Sequence, residues 1–183
     1  MGLHDFRKQN DRVKHFTVKK VWIHPDYERV THQNDIALLQ LEEKPEFSPI
    51  CLPSKLERYE NNQKGVVAGW GETTTVNISD VVKKATLNIL KNEDCKKASL
   101  TTRDKEQITS KIICAHEPGD GSCGGDSGGP LICQPIIQQE VCGVVSLAPE
   151  ICGHPLTPGV YTRVSEYLDW IRESVSSIEG EGE

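Results

Sequence analysis

The chain is 183 residues long, about the size of one domain, with a formal net charge of -6. Its basic residues are scattered apart from short pairs such as Lys19-Lys20 and Lys83-Lys84, which argues against a surface built for nucleic acid or for an acidic membrane. No apolar run approaches the roughly 20 residues that span a bilayer, so neither nucleic acid nor membrane is expected as a partner.

Taken in chain order, short β-rich runs are separated by turn residues: HFTVKKVWI (15–23), DIALLQL (35–41), KGVVAGW (64–70), ATLNILK (85–91), KIICAH (111–116), GPLICQ (129–134), EVCGVVSL (140–147) and GVYTRV (159–164). Many short strands punctuated by Gly and Pro predict a sandwich or a barrel. Helical pattern is confined to NEDCKKAS (92–99) and to a stronger segment near the end. There Ser165 can cap a helix that sets Leu168, Ile171 and Val175 on one face, expected to pack on the barrel. The tail SSIEGEGE (176–183) is acidic and contains glycine; it is expected to be disordered, which bounds the domain at 1–175.

Seven cysteines are present: Cys51, Cys95, Cys114, Cys123, Cys133, Cys142 and Cys152. None of their spacings gives paired C-x-x-C units with histidines at zinc-site distances, so disulfides are the better reading than a metal site. Disulfides persist in oxidising compartments, and Asn77-Ile78-Ser79 is a glycosylation acceptor; both agree with a secreted, extracellular glycoprotein. The stretch MGLHDFRKQNDRVK has no apolar core like that of a signal peptide. This mismatch, with one cysteine left over, leads to the expectation that an amino-terminal piece carrying the signal is absent.

Residues 120–133, DGSCGGDSGGPLIC, set a serine between an aspartate and two glycines. A serine hydroxyl is a poor nucleophile at neutral pH unless a base takes its proton. Gly-Asp-Ser-Gly-Gly-Pro at 125–130 resembles the nucleophile motif of the chymotrypsin-like serine proteases. The resemblance extends to NDIALLQL (34–41), similar to the segment that carries the triad aspartate, and to ICLP (50–53) and AGWGET (68–73). ICAH, PLIC, GVVS and TPGVYTRV then follow in family order at family spacing. A Gly- and Ser-rich stretch is in general merely a turn, and an isolated aspartate merely a cap or a surface carboxylate. The agreement of the flanking motifs favours the catalytic reading here.

The resemblance implies an all-β fold: a chymotrypsin-like double six-stranded β-barrel with a C-terminal helix, the first barrel incomplete. It implies a serine endopeptidase acting on protein or peptide substrates through an acyl-enzyme and open to protein protease inhibitors. Ser127 would attack the scissile carbonyl, the N–H groups of Gly125 and Ser127 would form the oxyanion hole, and Asp35 would orient a histidine. Ser146 would sit near Asp35, and the strand from Ser146 to Ala148 would pair with the substrate backbone. No cofactor and no metal is implied; the positions where calcium-binding relatives carry acids are Leu3 and Val13. By the same resemblance Cys95 pairs with Cys114 and Cys123 with Cys152. Cys133 lacks its usual family partner, whose position falls near Gly65, and Cys142 in a predicted hairpin is then a cross-strand candidate for it. Cys51 is the odd one.

The chain also departs from the family. The base normally lies in a Thr/Ser-Ala-Ala-His-Cys motif ahead of the aspartate, and this sequence holds no such motif; GLHDF (2–6) is similar to a stretch just past that histidine. His4, His15, His24, His116 and His154 align with no catalytic position and read as surface or loop residues. His32, three residues before Asp35, is a conceivable substitute base, since geometry rather than order defines a triad. Asp126 is the carboxylate that in the family pairs with a freed Ile or Val amine. The chain opens with Met1 and shows no Arg/Lys-Ile/Val-x-Gly site, so Asp126 is expected to lack that partner at a desolvation cost, leaving a zymogen-like oxyanion hole. The chain by itself is therefore expected to be inactive. For specificity, Gly121 stands where trypsin-like relatives carry an aspartate, with Asp120 one step away. Ser122, Ser146, Leu147, Ala148 and Gly159 complete an expected pocket whose small, uncharged walls favour a small or apolar residue before the scissile bond. The alternative from another class is a non-catalytic, protease-like binding module that keeps the fold without the base. A third expectation is a chain that does not fold stably, with barrel edges and core exposed.

Overall fold

Eight strands form two sheets of unequal completeness in the computed structural model, which describes residues 1–8, 12–54, 59, 63–98, 101–133 and 138–180, the side chains of 102–104 and 178–180 excepted. Strands β1 (Val18–Ile23) and β2 (Ala37–Leu41) pair antiparallel as a two-stranded sheet. Strands β3 (Lys64–Gly69), β4 (Lys83–Leu90), β5 (Ile112–His116), β6 (Pro130–Cys133), β7 (Glu140–Leu147) and β8 (Gly159–Arg163) close a barrel in the order β3-β4-β5-β8-β7-β6. The closing contact is β3 on β6, with Gly65 opposite Cys133 and Val67 opposite Leu131. The fold is mostly β with one closed six-stranded barrel, a second sheet that is not closed and a C-terminal helix, in agreement with the expected class.

Alternation along the strands builds the barrel core. Leu87 and Ile89 of β4, Ile113 and Ala115 of β5, and Leu131 and Cys133 of β6 point inward to meet Val67, Cys142, Val145 and Tyr161. Leu87, Ile89, Ile113 and Leu131 have no residual exposure, and each contributes about 1.5–3 kcal/mol from burial. Closure removes the unpaired edges that an open sheet would present.

The bridges are Cys95–Cys114, Cys123–Cys152 and Cys133–Cys142, with Cα–Cα separations of 6.2, 5.4 and 5.7 Å. The first ties α1 (Asn92–Lys97) to β5, the second braces the loop before β6, and the third staples β6 to β7 inside the core. Each is of the kind that contributes about 2–4 kcal/mol by restricting the unfolded chain. Cys51 is free and half-buried.

A short helix α2 (Thr102–Gln107) was not expected from the sequence. After β8 the chain makes a 3-10 turn at Val164–Tyr167 and then α3 (Leu168–Gly180). Ser165 thus lies inside the 3-10 turn and caps nothing. Leu168 and Ile171 are buried as expected, but Val175 is 42% exposed and takes no part in the cluster that Ile171 joins. The helix also continues beyond residue 175, over part of the stretch expected to be disordered. Nothing before Gly180 breaks it, and the Ser177 hydroxyl donates to the Glu173 carbonyl at 2.9 Å. Residues 181–183 lie outside the described ones.

Val164, Tyr167 and Ile171 form a cluster with Ile36, just ahead of β2, Leu38 of β2, and Val141 and Val144 of β7. The C-terminal turn and helix therefore glue the small sheet to the barrel, which sets the position of the Asp35 segment. Among the described residues no helix is long and apolar enough to cross a membrane.

Candidate active site

The serine loop lies between β5 and β6. Gly125 and Gly128 have φ of +90° and +78°, a backbone region that side chains rarely adopt, so the glycines on either side of Asp126-Ser127 allow the sharp turn. The loop is pinned to β7 by Gly128 N–H to Val145 O and Val145 N–H to Gly129 O, both 2.9 Å. Ser127 is exposed at its crest. Among the described residues the N–H groups of Gly125 and Ser127 have no acceptor. Both donors are thus left open on the loop that carries the hydroxyl.

Asp35 is held by Ser146, expected beside it, and by Thr162, and the adjoining Asn34 is held by Lys111 and Tyr167. Asn34, buried with φ of +54°, donates from Nδ2 to the Asp26 carbonyl at 2.8 Å. Its Oδ1 accepts from Lys111 Nζ at 2.7 Å and from the Tyr167 hydroxyl at 3.2 Å. The next residue, Asp35, accepts from Ser146 Oγ at Oδ2 and from Thr162 Oγ1 at its carbonyl, both 2.7 Å. Barrel strands β7 and β8 therefore hold both ends of the residue. The sequence signal was the Asn-Asp pair itself, since Asn is among the few residues that tolerate left-handed backbone.

Asp35 and Ser127 line one cavity of about 490 Å³, together with Ile23, Leu39, Val144 and Val145. Among the described residues no histidine lines it. His32, with φ of +53°, instead lines a small cavity with Gln107, Lys111, Ser146 and Leu147, and its ring nitrogens have no hydrogen-bond partner among the described residues. His116 Nε2 meets the Pro155 carbonyl at 3.0 Å and His154 Nδ1 meets Thr157 Oγ1 at 2.9 Å, so both serve loops. His24 lies in the loop after β1 and is buried against Tyr167 and Trp170, with ring centroids 5.3 and 5.0 Å away. Burial, with Lys111 nearby, holds its imidazole below the ordinary histidine range.

The Asp126 carboxylate turns away from Ser127. Its Oδ1 accepts from Gly71 N–H at 2.8 Å and its Oδ2 from Cys123 N–H at 3.0 Å. It borders a second cavity, about 220 Å³, with Gly69, Glu72, Lys83, Lys84 and Gly121. A Cβ on Gly69 would overlap Asp126 Oδ1, and one on Gly71 would crowd the same carboxylate. The glycines of AGWGET are thus the seat for this side chain, a role the sequence did not disclose.

The residues expected to form the specificity pocket are divided. Ser122 is buried and shares a 3.0 Å hydrogen bond with the Tyr161 hydroxyl. Gly159 leaves the space beside them, because a Cβ there would press on Tyr161 Oη and Ser122 Oγ. Burial pushes the Tyr161 phenol up to about 12, so it remains neutral and able to donate. Ser146 and Leu147 face the cavity that holds His32, Gly121 faces the Asp126 cavity, and Ala148 is half-buried just beyond β7. Glu72, Cys123 and Cys152 bring potential ligand atoms within 4.8 Å of one another, but both sulfurs are bound in a disulfide and offer no thiolate to a metal.

The sequence profile of the trypsin family matches residues 1–171. The chain is 34% identical to kallikrein-15 of Homo sapiens, over 96% of this chain and 71% of that protein. It is 36% identical to melanization protease 1 of Drosophila melanogaster over 96% of this chain, yet spans only 47% of that longer protein. With coagulation factor XI of Bos taurus the identity is 39% over 86% of this chain and 26% of the relative. With the closed barrel, the exposed serine between two left-handed glycines and the aspartate across the cavity, these matches establish that the chain belongs to the trypsin family of serine proteases.

Proposed function

We propose that this chain is built for serine-type peptide-bond hydrolysis, with Ser127 as nucleophile, Asp35 as the carboxylate that orients an imidazole, and the N–H groups of Gly125 and Ser127 as oxyanion donors. One observation carries the reading: Asp35 and Ser127 border a single cavity of about 490 Å³, and Ser146 fixes the carboxylate at 2.7 Å. An imidazole in that space would take the Ser127 proton on one nitrogen and donate its other N–H to Asp35.

No histidine among the described residues lines that cavity, which supports the reading that the chain by itself lacks the base. Oxyanion donors and binding alone sustain only about 10³–10⁴-fold acceleration over water in a triad enzyme stripped of its catalytic groups. Asp126 is the activation carboxylate: held by two backbone N–H groups, it borders a cavity in which an ammonium would find it. The division of Gly121, Ser122, Ser146, Leu147, Ala148 and Gly159 between cavities supports a precursor arrangement of the loop. Once gathered, these small, uncharged walls suit a small or apolar residue before the scissile bond of a protein substrate. The three disulfides support an extracellular location.

A fluorophosphonate probe tests this. The chain is expected to label slowly, and added imidazole, diffusing into the cavity, is expected to accelerate labelling that disappears in Ser127→Ala. Rapid Ser127-dependent labelling without imidazole would overturn the inference of inactivity. A Ser127 that stays silent under both conditions would favour a binding module.

A further inference from the structure

We propose that Asn77 carries an N-linked oligosaccharide that covers the loop of residues 71–80 at the rim of the Asp126 cavity. The proposal rests on the extracellular reading, because the modification requires passage through the secretory lumen.

The loop has a definite shape. Thr73 Oγ1 accepts from the N–H groups of Thr75 and Val76 at 3.2 and 3.1 Å, and Thr73 N–H donates to the Val76 carbonyl at 2.8 Å. Ser79 N–H closes the excursion on the Trp70 carbonyl at 3.0 Å. Asn77 stands exposed on this frame, and its carboxamide has no hydrogen-bond partner among the described residues. Its neighbours are apolar and bare: Val76 is 47% and Ile78 68% exposed. Two uncovered aliphatic side chains flanking a free acceptor nitrogen are the surface that a covalent glycan would shield. At the other end of the loop Glu72, Thr73 and Thr74 line the cavity that contains Asp126, so a glycan here stands beside the route into it.

Asn77-Ile78-Ser79 meets the acceptor rule, with a middle residue other than proline. In the transfer, Asn77 Nδ2 attacks the anomeric carbon of a polyprenyl-pyrophosphate-linked oligosaccharide. The new N–C bond replaces the sugar's C–O bond to phosphate, Nδ2 gives up one proton, and the polyprenyl pyrophosphate leaves with the bonding pair; nothing is oxidised. The folded loop also fixes when this happens. Ser79 is 5% exposed and its hydroxyl donates to the Val81 carbonyl at 2.7 Å, so the hydroxyl the acceptor motif needs is withdrawn once the loop closes. Transfer therefore precedes folding of the segment between β3 and β4.

The full chain, expressed in eukaryotic cells behind a cleavable export leader and collected from the medium, tests the assignment. The expected result is a heterogeneous excess of mass that peptide N-glycosidase removes, leaving aspartate in place of Asn77 in the peptide map. Asn77→Gln, an exposed change that leaves the fold alone, should abolish the excess, and Ser79→Thr, which keeps the hydroxyl, should retain it. An exported, disulfide-bonded chain with unmodified Asn77 overturns the proposal and leaves the extracellular reading standing. Retention of the chain in the cell with its cysteines reduced overturns that reading, and because transfer precedes folding the glycosidase shift of the retained chain then decides the glycan separately: its presence upholds the assignment and its absence overturns it.

Discussion

At the scale of single residues, the site depends on small groups that let a carboxylate fold into place. Asp126 lies over Gly69 and Gly71, and the Gly71 N–H that binds it would be displaced by any added side chain. We expect Gly69→Ala to destabilise the chain by about 1–3 kcal/mol, the usual cost of overpacking. In an Asp126→Ala background the nearest remaining atom of residue 126 is its Cβ, 3.5 Å from the added methyl, an ordinary contact. There the same substitution should cost nothing, or stabilise slightly by stiffening a strand glycine. Urea midpoints of the four proteins in this double-mutant cycle check the coupling. Simple additivity would show that Asp126 is not seated on Gly69. None of this was legible in AGWGET, which identified the family without saying which atoms its glycines make room for. Ser127 and Asp35 were legible because their motifs are contiguous; Thr162 acts on Asp35, and Lys111 and Tyr167 on the adjoining Asn34, from places only the fold brings near.

At the scale of elements, the turn between β1 and β2 is held against the C-terminal turn and helix by His24, whose ring packs on Tyr167 and Trp170. Its backbone N–H donates to the Ile36 carbonyl at 3.1 Å and its Nδ1 accepts from Asp26 N–H at 3.2 Å, a bond only the unprotonated nitrogen can accept. Burial first, then the positive charge of Lys111, lowers its pKa, while Asp26 opposes them. As pH falls through the ordinary histidine range near 6.5, the unfolded chain takes up a proton that the folded one refuses, so stability falls with it. Between pH 7.5 and 5.5 the wild-type protein should therefore lose stability more steeply than His24→Gln, measured by denaturant midpoints. Equal slopes would mean that the ring is free to charge in place. The strands were legible as elements because alternation marks each of them locally. The short α2 was not, since TTRDKEQ has no apolar face to declare a period, and neither was the 3-10 turn that removes Ser165 from a capping position. Strand patterning alone left sandwich and barrel open, for the choice rests on β3 meeting β6 across a long stretch of chain; the family resemblance is what pointed to the barrel.

At the scale of the whole molecule, stability is unequally shared between the two sides of the cavity. Ser127 belongs to a closed barrel with all three disulfides and a continuous core. Asp35 precedes β2 of a two-stranded sheet that exposes Val21 (51%), Ile23 (63%) and Leu39 (60%), and two strands alone are marginal in water. That sheet draws its stability from Ile36 and Leu38 packing on Val164, Tyr167 and Ile171, and Asp35 from its bonds to Ser146 and Thr162. Local opening should therefore release β1 and β2 well before the barrel unfolds. Amide hydrogen exchange under native conditions should show residues 18–23 and 37–41 exchanging at least tenfold faster than 85–90 and 112–116, a gap of about 1.4 kcal/mol or more in opening free energy. Equal protection of the two groups would show that the helix and the Asp35 bonds make one cooperative unit of the molecule. If the difference is found, the separation of Asp35 from Ser127 is set by the weaker sheet. Anything that packs on its bare apolar face then stabilises the geometry in which an imidazole can bridge the two residues.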